Sequence, residues 1–178
     1  PNISDSVNYR INAAPTAVIG ANATICENNN TYQLQSTVTN SNSITWTSTG
    51  SGSFDNVNSE DPIYTLSPGD KASASVSFTV TASQPGCANV TDDMVLTIQK
   101  NPIANAGTTL QICEGESVTI SAATAQFSNT TNWTQSGGLG TFINTSTLAP
   151  TYNSALGESG TVNLTLTADA IAPCTVPS

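Results

Sequence analysis

The chain has 178 residues, 37% of them hydrophobic and 8% charged, with 12 acidic against 3 basic side chains and a formal net charge of −9. Arg10, Lys71 and Lys100 are too few to displace counterions from a phosphate backbone or to hold the chain on anionic lipid, which excludes nucleic acid and lipid headgroups as partners. No run of 18 apolar residues is present, so direct membrane insertion through a helix is not expected.

Alternating apolar and polar residues carry the secondary-structure signal from the first residues onward. In residues 1–14, Val7, Tyr9 and Ile11 alternate with polar neighbours as in a half-buried strand. The pattern then predicts strands near 16–25, 31–38, 43–48, 53–55, 62–66, 74–82 and 91–99, punctuated by Gly, Pro, Asn and Ser. Tyr32, Leu34 and Val38 form one inward set; Val76, Phe78, Val80 and Ala82 form a second; Met94, Leu96 and Ile98 form a third. The short turn at Pro85-Gly86 makes 91–99 the hairpin partner of 74–82. Beyond residue 102 the same sets return as Val118 and Ile120, then Val162, Leu164, Leu166 and Ala168. No useful length of chain shows an apolar 3.6-residue period, so no helix is expected.

The second half repeats the first. Pro15-Thr16-Ala17 and Ile25-Cys26-Glu27 return as Pro102-Ile103-Ala104 and Ile112-Cys113-Glu114, 87 positions later, as do Trp46-Thr47 at Trp133-Thr134 and Cys87 at Cys174. Gly52-Ser53-Phe54 and Pro62-Ile63-Tyr64 return 88 positions later as Gly140-Thr141-Phe142 and Pro150-Thr151-Tyr152. Residues 5–15 (DSVNYRINAAP) overlay residues 92–102 (DDMVLTIQKNP) at the same shift. The expected organisation is therefore 1–14 as the last strand of a preceding repeat, 15–101 as repeat 1, and 102–178 as repeat 2 without its last strand, in a piece of a longer protein. The expected fold class is all-β, tandem immunoglobulin-like (PKD-like) β-sandwich repeats. Trp46 and Trp133 fall on the third main strand, where a buried indole fills the space between sheets; a Trp exposed for sugar stacking is the alternative.

Cys26, Cys87, Cys113 and Cys174 stand in two equally spaced pairs in a chain without His. Neither repeat offers further ligands for zinc, so disulfides and an oxidising compartment are expected. Four cysteines allow three connectivities, and the repeat favours Cys26–Cys87 and Cys113–Cys174, each closing a span of 61 positions. Such a closure is worth on the order of 4 kcal/mol.

Catalysis is not expected. Acid–base chemistry needs positioned titratable groups, yet there is no His, and neighbouring carboxylates such as Glu60-Asp61 point to opposite faces of a strand. The glycines of Gly50-Ser51-Gly52 and Gly137-Gly138-Leu139-Gly140 suit turns better than phosphate loops. No cofactor is expected; Asp92 and Asp93, with Asn101 and Asn105, are weak calcium candidates because hard oxygen ligands stiffen tandem modules. The Asn-x-Ser/Thr sequons at Asn22, Asn89, Asn129, Asn132 and Asn163 arise readily in a chain rich in Asn and Thr.

The run Pro102-Ile103-Ala104-Asn105-Ala106-Gly107, Gln111-Ile112-Cys113-Glu114-Gly115, Trp133-Thr134, Gly140-Thr141-Phe142, Pro150-Thr151-Tyr152 and Val162 to Ala168 resembles the repeats of giant Bacteroidetes cell-surface adhesins, the family of the Flavobacterium gliding-motility adhesins. The first repeat departs from it at Val18-Ile19-Gly20 and Asn28. The resemblance implies type IX secretion, display outside the outer membrane and a non-catalytic spacer or stalk role in gliding motility or attachment. Its partners would be neighbouring repeats of the same chain, a polysaccharide or solid surface, and the surface motility and secretion machinery through the parent protein. Two other readings stand beside it: a carbohydrate-binding module of a secreted hydrolase, which needs exposed Trp46 and Trp133, and a surface-fibre subunit that exchanges strands through residues 1–14.

Overall fold

The computed structural model describes residues 1–175, which fall into two compact units: 1–25 with 29–98, and 26–28 with 99–175. The fold is all-β, with immunoglobulin-like sandwich sheets and, among the described residues, one short helix.

The first unit carries β1 (Thr16–Ile19), β2 (Ala23–Cys26, whose last residue falls in the second unit), β3 (Thr31–Gln33), β4 (Ser36–Thr39), β5 (Ser43–Ser48), β6 (Ser53–Phe54), β7 (Ile63–Thr65), α1 (Pro68–Ser73), β8 (Ser75–Ser83) and β9 (Val90–Gln99). One sheet runs β2-β9-β8-β5, a second β3-β7-β6, and β1 pairs with β4. The alternation read from the sequence is what the packing uses: Val76, Phe78, Val80 and Ala82 of β8 and Met94, Leu96 and Ile98 of β9 are all buried. β9 is the antiparallel partner of β8, with Val76 opposite Leu96 and Phe78 opposite Met94. Trp46 of β5, 2% exposed, lies opposite Val80. Phe54, Tyr64 and Phe78 close the core edge to face, with ring centroids 4.8–6.0 Å apart.

Two expected strands are each divided in two, at Gly20-Ala21-Asn22 and at Leu34-Gln35. The first break lets β1 pair with β4 while β2 joins β9 in the other sheet. The helix was not foreseen. Six residues are too few to show a period; it is held instead by a capping box in which Ser67 and Asp70 each accept the other's backbone N–H, with Pro68 leading.

The second unit carries β10 (Ile103–Asn105), β11 (Ser117–Thr119), β12 (Thr124–Gln126), β13 (Ser128–Ser136), β14 (Thr141–Ile143), β15 (Thr151–Asn153) and β16 (Asn163–Ala170). Its sheets run β10-β12, β11-β15-β14 and β13-β16. Trp133 lies opposite Leu166, as Trp46 lies opposite Val80, and is likewise 2% exposed. Its core is smaller: Ile120, Ala123, Trp133 and Leu166, with Phe142 and Leu164 against them.

Residues 1–14 form no strand here. The reason is the absence of a partner edge: in the first unit the neighbours of the equivalent strand are β8 and β2, and β9 already occupies the place between them. Among the described residues no helix is long and apolar enough to cross a membrane.

Each indole also donates to a backbone carbonyl, Trp46 Nε1 to Ser59 O at 2.9 Å and Trp133 Nε1 to Thr147 O at 3.0 Å. Trp46→Ala and Trp133→Ala are each expected to destabilise their own unit by about 3–5 kcal/mol. Chemical denaturation followed by far-UV circular dichroism, with the remaining tryptophan reporting the unaltered unit, checks this.

Candidate functional site

The cysteines depart from the expected pairing. Cys26 is bonded to Cys174, 148 positions away with Cα atoms 4.8 Å apart, while Cys87 and Cys113 are free thiols. The expected bonds Cys26–Cys87 and Cys113–Cys174 are therefore corrected. The physical reason lies in what surrounds Cys26: the end of β2 lies beside the end of β9, and residues 26–28 group with the chain from Gln99 onward. There Glu27 donates its N–H to Gln99 O at 2.9 Å, its carboxylate accepts from Asn101 N at 2.8 Å, and Lys100 lies 3.6 Å away from it. The Cys174 sulfur sits 3.3 Å from that same Gln99 carbonyl, which brings it to Cys26.

Asp92 and Asp93 do not converge. They are adjacent on β9 and so face opposite sides, and Asp92 accepts the N–H of Ile19 at 2.8 Å. Asn101 is turned to Asn28, donating its amide at 2.8 Å. Among the described residues no group of three His, Cys, Asp or Glu side chains forms a metal cluster.

A second device recurs in both units and was missed in the sequence. The Tyr64 hydroxyl accepts from Gly52 N at 2.8 Å and donates to Asp70 Oδ2 at 3.0 Å. Asp70, 2% exposed, also accepts from Ser51 N at 2.7 Å and Ser67 N at 2.9 Å. In the second unit the Tyr152 hydroxyl accepts from Gly140 N at 3.1 Å and donates to Glu158 at 2.5 Å, and Glu158 accepts from Leu139 N and Ala155 N. A side chain on Gly52 would run into the Thr65 carbonyl, and one on Gly140 into the Asn153 carbonyl. The signal was present as a glycine twelve residues before, and a carboxylate six residues after, each repeated Tyr. These groups are spent on backbone N–H donors, so the clasp is structural.

Burial pushes the Asp70 pKa up, but the donors at Ser67, Ser51 and Tyr64 outweigh it and hold the carboxyl below its ordinary value. Glu158 is also lowered, chiefly by the Tyr152 hydroxyl. Burial, with the neighbouring carboxylate, raises Tyr64 and Tyr152.

Two open surface depressions of about 340 and 360 Å³ occupy equivalent places, one lined by Ser128, Asn129, Thr130, Thr131 and Ser146, the other by Ser41, Asn42, Ser43, Ile44 and Asn58. Neither is lined by an aromatic or titratable side chain.

No family model and no curated protein matches the chain. Solved structures do. A two-domain fragment titled DIP-gamma IG1+IG2 aligns at 15% identity and TM-score 0.51, covering 82% of either chain. Mouse cadherin-23 EC22-24 aligns at 17% identity and TM-score 0.50, over 82% of this chain and 56% of that one. Protocadherin gammaB7 EC3-6 aligns at 10% identity and TM-score 0.50, over 78% of this chain and 38% of that one. The chain thus spans well under two thirds of both cadherin-type fragments. At these identities the likeness shows the fold, tandem immunoglobulin-like sandwiches.

Because the folded carboxylates titrate lower than unfolded ones, their stabilisation is present above the ordinary carboxylate range near pH 4 and is lost as pH falls through their folded values. The raised tyrosines act with the opposite sign, stabilising below about pH 10 and losing this as pH rises. Stability is expected to be flat between about pH 5 and 9 and to fall on either side. Asp70→Asn is expected to cost about 2–3 kcal/mol at neutral pH and to flatten the acid limb of the first unit. Denaturant unfolding across pH measures both.

Proposed function

We propose that the chain is a non-catalytic stalk segment of a secreted cell-surface adhesin of the kind used for gliding motility or attachment. The observation that carries this reading is the bond between Cys26 and Cys174, which fastens the first cysteine of one repeat to the second cysteine of the next. Such a bond shields everything between positions 26 and 174 from a pull on the termini, which suits a segment that bears tension. The bond belongs to an oxidising compartment, which supports an extracellular location, and the residues quoted above that resemble Bacteroidetes adhesin repeats extend the reading to type IX secretion and the outer-membrane surface. The carbohydrate-module alternative loses its stacking platform, since Trp46 and Trp133 are buried.

The stalk reading has a mechanical test. Tension between the termini bypasses everything between Cys26 and Cys174, leaving about 30 residues free to lengthen, or roughly 100 Å of chain. After reduction the whole chain unravels to about 600 Å. Single-molecule pulling in oxidising and reducing buffer reads this directly, and full extension of the oxidised protein would refute a load-bearing bond at this position. An antibody against the chain is expected to label intact cells of the source organism; labelling only after permeabilisation counts against surface display.

A further inference from the structure

In the first unit the outer edge of β4 is closed by residues of its own repeat. Val38 donates its N–H to Glu60 Oε1 at 3.1 Å. Ser36 donates its N–H to Asp61 Oδ1 at 2.8 Å and its hydroxyl to the Glu60 carbonyl at 2.7 Å. Charged side chains laid along an edge in this way keep further strands from pairing with it. The second unit has the same strand without the same cover. Ala125 of β12 stands opposite Ala104 as Val38 stands opposite Ala17, so its N–H turns to the same outer side. The residues that answer to Glu60 and Asp61, 88 positions on, are Leu148 and Ala149, and neither side chain can accept that N–H.

Two independent features fall at this edge. The depression of about 340 Å³ in the second unit is lined by Ala125 and Leu148 as well as by residues 128–131, whereas its counterpart in the first unit is lined by neither Val38 nor Glu60. A groove therefore runs up to the open edge. Phe127, the residue after β12, has a φ of 54°, in the left-handed region that a bulky side chain rarely adopts. Asn40, its counterpart, has the same φ of 54°, which an Asn tolerates. Such outliers gather at functional surfaces. Phe127 is 44% and Leu148 39% exposed, so apolar side chains stand at the end of the strand and in the groove beside it. The surroundings are acidic: Asp169 accepts from Thr130 in the groove, and residues 99–175 carry Glu114, Glu116, Glu158 and Asp169 against Lys100.

We infer that the edge of β12 is a docking site for an extended, basic segment of another polypeptide, which joins it as an added strand. Main-chain hydrogen bonds at Ala125 hold the segment, an apolar side chain rests on Leu148, and a Lys or Arg faces Asp169. Every position involved lies inside the second repeat, and the first repeat closes the same edge from within itself, so the opening does not depend on a neighbouring repeat. The inference goes beyond the stalk reading and does not rest on it.

The test titrates the full chain, ¹⁵N-labelled and at constant salt, with a short blocked peptide of alternating Lys and Val. Saturable binding is expected, with amide shifts concentrated at residues 124–131 and 146–149. Leu148→Glu restores the carboxylate that the first unit has at this place, in a side chain outside the core, and is expected to weaken binding about tenfold or more. Because that substitution adds negative charge, mere attraction of a basic peptide would strengthen instead. The same peptide N-methylated at alternate residues keeps its charge and loses its ladder donors; a Glu-Val peptide keeps the donors and reverses the charge. Both are expected to bind about tenfold more weakly or worse. Absence of saturable binding, shifts confined to other surfaces, equal binding of the N-methylated peptide, or undiminished affinity in Leu148→Glu would overturn the proposal.

Discussion

Each sandwich depends on a tyrosine hydroxyl that has no freedom left. Tyr64 and Tyr152 stand among the core aromatics and reach out to a loop, accepting a glycine N–H and donating to a carboxylate. That carboxylate collects the backbone donors of two turns. Buried polar groups are costly when unpaired and modestly stabilising when paired, so the clasp fixes loop position more than it adds to total stability. The glycines facing the hydroxyls are required because the approach leaves no room for a Cβ. The indoles end on a different loop of each unit, at Ser59 O between β6 and β7 and at Thr147 O between β14 and β15, so Trp and the Tyr–carboxylate clasp hold separate loops against the same core.

The two units use this framework with unequal cores. In the first, β9 supplies Met94, Leu96 and Ile98, a quarter of the apolar interior. The second shows no such strand among the described residues, and its core is correspondingly small. The Cys26–Cys174 bond falls within that smaller unit. Closing a span of 148 positions is worth about 5 kcal/mol in the chain-entropy picture, comparable with the whole stability of a marginal domain. The covalent constraint thus sits where apolar burial is weakest.

Much of this was legible in the sequence. Strand positions 43–48, 74–82 and 91–99 followed from alternation, since a half-buried strand must repeat every second residue. The hairpin between the last two followed from the Pro-Gly turn. Helix α1 was hidden, because its signal is a capping box and not a period. The splitting of 16–25 was hidden too: moving from one sheet to the other leaves the apolar alternation unchanged. The clasp carried a readable spacing, but glycine, tyrosine and carboxylate each have commoner roles, and only their convergence gives the motif meaning.

By itself the sequence determined the fold class, the 87-residue period and the inward face of nearly every long strand, all of which are properties of local pattern. Partner choice among the cysteines was of another kind. A shift of one period carries Cys26 onto Cys113 and Cys87 onto Cys174, so a bond within each repeat and a bond to the next repeat satisfy the periodicity equally. Translation along a chain cannot distinguish them; proximity in space does, and there Cys26 packs with the residues around Gln99 and meets Cys174.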